Sequence, residues 1–233
     1  MNLLALETST EACSVAVWRD GEVFERFEVA PRRHAELALP WADALLAEAG
    51  IARPHLDAIA VGIGPGAFTG VRLGVSLAQG MALALDVPAI GISTLATLAL
   101  RAGAGEGANV LAAIDARMGE VYWGAYRIGD DVPVALGAER VSKPDGVAVE
   151  GSGWHGVGTG FAALEGALVV QLGDQLASAD AEALPRASDI ARLAVRAHAR
   201  GEALPPERLE PAYLRNNVAL TLAEQAALRA RRG

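Results

Sequence analysis

The chain has 233 residues, 52% hydrophobic and 21% charged. That is enough apolar material for one large domain or two small lobes, and it excludes a disordered chain. A formal net charge of −8 makes the chain a poor stand-alone nucleic-acid binder, because phosphate contacts need a local excess of Lys and Arg; an RNA role would need a basic patch or a basic partner. A single cysteine, Cys13, excludes an internal disulfide and a cysteine-based zinc site.

The opening MNLLALETST has no basic n-region, and Glu7 interrupts its apolar run, so it does not read as a signal peptide. The long uncharged stretches are broken by Gly64, Pro65 and Gly66 or by Pro88 and Gly91, and are flanked by Arg72, Asp86 and Arg101. No membrane span is expected, and the chain reads as soluble and cytoplasmic.

Leu3 to Leu6, Cys13 to Trp18 and Glu22 to Val29 read as three antiparallel strands, the last two joined by the turn RDG. Arg33 to Ala49 is a helix stopped by Gly50. A short buried strand, Asp57 to Val61, leads into the glycine segment GIGPGAFTGVRLG, Gly62 to Gly74, and a helix from about Gly70 to Leu85. Ala89 to Ile92 is a strand, and Ser93 or Thr94 caps a helix that ends at RAGAGEG. The Gly/Ala-rich run Ala102 to Ala108 marks a lobe boundary, dividing a lobe of residues 1–102 from one of residues 109–233.

The opening pattern then recurs. Val110 to Ile114 is an apolar strand tipped by Asp115; DARMGE turns, Val121 to Ile128 returns, and a third strand starts near Val134. A buried strand with an acid at its tip thus occurs twice, about a hundred residues apart, which predicts a duplicated lobe. The stretch GVAVEG reads as a further strand, followed by the glycine-rich GSGWHGVGTG. Ser188 to Arg200 is an amphipathic helix capped by Ser188 and ended by Gly201, with Ile190, Leu193 and Ala197 facing inward. PPERLEPAYLRNN is an extended connection, and a last helix is expected from about Leu220 to Arg232, packed back on the first lobe.

The glycine segment admits three readings. Gly62, Gly64 and Ala67 fit G-x-G-x-x-A, but the next strand ends in Ser93 instead of the acid a dinucleotide site needs. A Walker A loop fails because Val71 and Arg72 follow Gly70 where Lys and Ser/Thr are required. The architectural reading fits best. Gly70, Gly74 and Ala78 recur every fourth residue, giving a bare helix face suited to a close crossing. Arg72 is the only charge from Gly70 to Leu85, so this helix needs burial on all sides. On the earlier helix Leu37, Trp41 and Leu45 form one apolar stripe and Leu39, Ala42 and Leu46 another, implying two neighbours. Packing of the two helices on each other and packing on a partner explain these stripes equally well.

No catalytic constellation is evident. No two of His34, His55, His155 and His198 have the spacing of a helical metal site, and there is no G-x-S-x-G elbow. The acids Glu7 and Asp115 remain as cleft candidates for holding a metal or positioning water. As turn residues bonded to nearby amides they need no such role.

ETST (Glu7 to Thr10), GPGAFTGVR (Gly64 to Arg72), GISTL (Gly91 to Leu95), DARMGEVY (Asp115 to Tyr122) and PAYLR (Pro211 to Arg215) occur in that order. With them the chain resembles the bacterial TsaB (YeaZ) family along essentially its whole length. The resemblance implies an α/β actin/Hsp70/hexokinase-like (ASKHA) fold of two lobes, each a mixed sheet with flanking helices. It implies a non-catalytic partner subunit in making threonylcarbamoyladenosine beside the anticodon of tRNA. The implied partners are the transferase TsaD, a paralogue, and the small ATPase TsaE, with homodimerisation when alone and tRNA met only through the complex.

The paralogue carries a His-x-x-x-His metal pair where this chain has Thr94 and Leu98, so no metal site, no catalytic residue and no metallopeptidase activity is expected. Glu7 stands where the family has Asp, and Ala67 where it has Ser, which argues against metal-nucleotide binding with Asp115 and Arg117 in the cleft. No tightly bound cofactor is implied; ATP, ADP or an adenylate would sit at a complex interface. Family pairing through the two N-terminal helices puts Leu37, Trp41 and Leu45 on one helix, and Gly70, Gly74, Leu77, Ala78 and Met81 on the other, at the partner interface. The alternative is a free-standing ATP-dependent phosphotransferase using Glu7 and Asp115.

Overall fold

The structure, a computed structural model, describes residues 1–215. The helix expected at 220–232 lies outside the described residues. Two sheets divide the chain. The first holds β1 (Asn2–Glu7), β2 (Ala12–Arg19), β3 (Glu22–Val29), β4 (Ala58–Gly62) and β5 (Ala89–Ile92), in the order β3-β2-β1-β4-β5. The second holds β6 (Asn109–Arg117), β7 (Glu120–Gly129), β8 (Val132–Ala135), β10 (Trp154–Val157) and β11 (Leu176–Asp180), in the order β8-β7-β6-β10-β11, with β9 (Arg140–Ser142) paired to β7.

The two orders are the same. In each, a first strand has an antiparallel hairpin on one side and two parallel strands on the other. The repeated hairpin in the sequence is therefore one end of a duplicated five-strand unit. The helices are α1 (His34–Glu48), α2 (Phe68–Leu85), α3 (Thr94–Arg101), α4 (Ala163–Leu172) and α5 (Ala187–Ala199). This is a two-lobe α/β architecture, each lobe a mixed sheet with flanking helices, as the resemblance implies.

Side chains alternate across the first sheet with the strand period of two. Leu4, Leu6, Val15, Val17, Ile59 and Val61 pack with α1 and α2. Leu3, Ala5, Ala16, Ala58 and Ala60 face the other way and pack on Ile190, Ala191 and Ala194 of α5. The second sheet mirrors this: Leu111, Ala113 and Trp123 meet α4 through Leu168 and Leu172. Val110, Ala112 and Ile114 meet Leu95, Leu98 and Ala99 of α3.

The lobes thus exchange a helix. In sequence α3 lies within 1–102 yet covers the second sheet, and α5 lies within 109–233 yet covers the first. Division of the chain into 1–102 and 109–233 separates the sheets but misassigns these two helices. The cause is coverage. Both α1 and α2 lie on one face of the first sheet, and its opposite apolar face must be buried by something. Asp189 on α5, 3.6 Å from Arg101 of α3, ties the exchanged helices together.

Two local readings change. Residues 147–150 are irregular after a tight turn at Pro144–Gly146, and the strand falls instead at Trp154–Val157, inside the glycine-rich stretch. There a Cβ on Gly156 would meet the Phe161 ring at 2.6 Å, so a residue without a side chain is required. Ser188 is not the cap of α5, which starts one residue earlier. The free amides of Ala187 and Ser188 donate to Ser14 Oγ (2.9 Å) and Glu25 Oε1 (3.0 Å) of the first sheet, so α5 is capped by tertiary structure.

Candidate functional site

After β4 the chain turns at Gly64, whose φ of +100° suits glycine, and enters α2. The glycines are explained by what they touch. A Cβ on Gly62 would strike the Glu7 carboxylate, one on Gly66 the Ser9 carbonyl, and one on Gly70 the Thr8 carbonyl. At Gly74 it would meet Thr8 Oγ1 and, at 3.2 Å, Val61. The bare face of α2 therefore lies on the β1–β2 turn, and not against another helix as its spacing predicted. Two hydrogen bonds fasten it: Ala67 N donates to Ser9 O (2.7 Å) and Thr8 Oγ1 to Gly70 O (2.8 Å). The turn is filled by protein atoms where a phosphate cradle would be open.

Glu7 is fully buried beneath Gly62. Its Oε1 accepts from Ser9 N (2.6 Å), while Oε2 has no protein partner. Burial pushes its carboxyl above the usual range, with the Ser9 and Thr8 hydrogen bonds opposing, so the neutral acid is favoured. Asp115 is partly exposed and accepts from Arg117 N (2.8 Å) and Arg117 Nη1 (2.7 Å). One acid is sealed and the other is held by its own turn. The cleft thus presents one partly exposed carboxylate, Asp115, already paired with Arg117.

Thr94 is buried, with Oγ1 donating to Ser9 Oγ (3.2 Å), and Leu98 is buried in the core of the second lobe. A hydroxyl and a hydrocarbon make no metal site. Among the described residues no group of three or more His, Cys, Asp or Glu side chains could hold a metal ion. His34 is structural: its Nε2 lies 2.9 Å from Thr10 O and 3.1 Å from Ala12 O, so the proton on that nitrogen binds α1 to the β1–β2 turn.

A polar cluster, of which the sequence announced only Ser93, joins the lobes at the start of α3. Ser93, the cap of α3, accepts from Leu95 N and Ala96 N and donates to Glu139, which also accepts from Tyr126 OH (2.6 Å). Burial raises the Tyr126 hydroxyl above its ordinary value, and Glu139 adds to the rise. Glu139 sits in an irregular loop, so no periodicity could announce it.

The outer face of α1 and α2 is the remaining feature. Of the eighteen residues of α2 only Val71, Gly74, Val75, Ala78 and Ala82 are buried. Leu73, Leu77, Met81 and Leu85 are half-buried, and Phe68, Leu83 and Ala84 are exposed. Arg72, its one charge, stacks 3.5 Å from the Phe68 ring centre. By length and composition alone α2 could cross a membrane; its packing on the β1–β2 turn and β4 assigns it to the lobe.

Leu37, Leu45, Gly74 and Ala78 do not belong to this face. They are packed inside the first lobe, because the sheet takes the inner stripe of each helix. Trp41, Leu77 and Met81 are half-buried at its edge, and Leu39 is exposed on a different side of α1.

The family model described as "TsaD: tRNA N6-adenosine threonylcarbamoyltransferase" matches residues 27–222. The chain is 45% identical to the tRNA threonylcarbamoyladenosine biosynthesis protein TsaB of Escherichia coli (strain K12), covering 94% of this chain and 96% of that protein. It is 38% identical to the protein of the same name from Haemophilus influenzae, over 94% and 95%. Among solved structures it is similar to YeaZ from Pseudomonas aeruginosa, with a TM-score of 0.84 and 47% identity over 91% of this chain and 99% of that one.

Proposed function

The chain belongs to the TsaB (YeaZ) family, and on that premise we propose that it serves in making threonylcarbamoyladenosine in tRNA, as a partner subunit of the transferase and not as the transferase itself. The observation that carries this reading is the outer face of α2, an apolar helix with one charge and five buried residues in eighteen. Water is a poor neighbour for such a face, and a second protein surface is a good one. The partner is a TsaD-like paralogue, with a TsaE-like ATPase completing the assembly. Alone, the chain pairs with itself through the same face. Nucleotide or an adenylate belongs at the interface with the partner, and tRNA is met through the complex, in the cytoplasm.

The sealed Glu7 weighs against a free-standing phosphotransferase. Reconstitution tests the reading: this chain, TsaD-like and TsaE-like partners, unmodified tRNA and threonylcarbamoyl-adenylate, with each component omitted in turn. Modification that needs this chain, with none from this chain alone, is expected. Modification by the chain alone, or no loss on omitting it, overturns the reading.

A further inference from the structure

Residues 202–215 follow α5, and the partner-subunit reading does not use them. We propose that residues 204–215 form a clasp across the cleft between the lobes, with Arg215 as its catch. Leu204 pairs with Ala89 at the edge of the first sheet, Leu204 N donating to Ala89 O (2.8 Å) and Ala89 N to Leu204 O (2.9 Å). Gln79 on α2 donates from Nε2 to Pro206 O (3.2 Å) and Leu209 O (3.0 Å). Leu209 is buried against Gly91, where a Cβ would meet it at 3.1 Å. Ala212 N donates to Ile63 O (2.8 Å), and Tyr213 OH accepts from Arg72 Nε (2.9 Å).

All these anchors lie in the first lobe. Arg215 crosses to the second. Its Nη2 donates to Ala116 O (3.2 Å) and to the Glu120 carboxylate, and its Nη1 lies 3.7 Å from Met118 Sδ. Its guanidinium is 5.9 Å from the Tyr122 ring centre. All four partners belong to the β6–β7 hairpin.

The asymmetry makes this a catch. Buried Leu209 and six hydrogen bonds hold the strap to the first lobe, while the Arg215 guanidinium joins it to the second. A partly exposed ion pair opens far more readily than a buried apolar anchor. Losing it releases the β6–β7 hairpin from the strap, which stays on the first lobe. The lobes stay joined through α3, α5 and the Ser93–Glu139 bond, so on this proposal release of Arg215 loosens the β6–β7 side of the cleft alone.

The full chain and its Arg215→Ala, Arg215→Lys and Glu120→Gln variants are compared by hydrogen–deuterium exchange. Distances are measured between spin labels on Glu11→Cys and Lys143→Cys, Cys13 being buried. For Arg215→Ala and Glu120→Gln, amides 115–120 should exchange about tenfold faster and the label distance should lengthen. The amides of Leu204 and Ala212 should stay protected, and Arg215→Lys should fall between. Unchanged exchange overturns the clasp. So does loss of protection at Leu204 and Ala212, which marks a peeling tail, or a uniform rise across both sheets, which marks a plain stability contact. None of these readouts depends on partner binding.

Discussion

Thr8 and Gly70 hold each other from both sides. The Thr8 hydroxyl donates to the Gly70 carbonyl at 2.8 Å, and the α-carbon of Gly70 rests on the Thr8 carbonyl with no room for a methyl group. Gly70→Ala must push the β1–β2 turn away from α2. It should cost about 1–3 kcal/mol, as overpacking of a tight contact does. Gly74→Val should cost at least as much, because its neighbours are Thr8 and Val61. Urea denaturation of each variant measures this; a loss of association with unchanged stability would show that the glycines serve a partner instead.

Charge on the half-buried edge should act the other way. Met81→Glu and Trp41→Glu place a carboxylate on the apolar outer face while leaving the inner stripe of Leu45 and Ala78 intact. Self-association, or binding to a TsaD-like partner, should weaken about thirtyfold, the effect of losing about 2 kcal/mol at an interface anchor. Sedimentation velocity and thermal unfolding on the same samples separate association from folding.

Glu7 gives stability a pH dependence of definite sign. Burial raises its carboxyl in the folded state above the unfolded value of 4.5. Between those two values the folded chain holds more protons than the unfolded chain, so stability falls as pH rises through that window. Glu7→Gln removes this contribution. Wild type minus variant, measured by denaturant unfolding from pH 4 upward, should become less favourable to the wild type as pH increases above 4.5 and level off above the folded value. A flat difference would mean that Glu7 is not sealed in solution.

Cys13 should be inert in the folded chain. It is fully buried on β2 within the first core, and burial pushes its thiol up to about 11. The thiolate is the nucleophile, so a maleimide at pH 7 should label it only as fast as the lobe unfolds. Mass spectrometry with and without denaturant checks this; rapid labelling of the native chain would show an open first lobe.

Local order was legible in the residues. The meander, α1, α2, β5 and the Ser93 cap follow from periodicity and turn chemistry within a few residues of one another. The doubled hairpin announced the repeat, because β1 and β6 carry the same apolar run tipped by an acid. The ordered motifs, above all GPGAFTGVR, carried the family. Periodicity tells which side of an element avoids water. It does not tell what covers that side. Leu37 and Leu45 look like an interface stripe until the sheet is seen to take them.

Contacts across long stretches of chain needed the tertiary structure. Gly70 and Gly74 matched a close helix crossing in spacing, yet their neighbour is Thr8, sixty-two residues before Gly70. The same fold seals Glu7 under Gly62, exchanges α3 and α5 between sheets, and caps α5 with Ser14 and Glu25. Each of these depends on which surfaces remain bare once the local elements exist, and burial of apolar area is not directional. Chain order fixes the elements that form; only packing of the whole decides which of them meet.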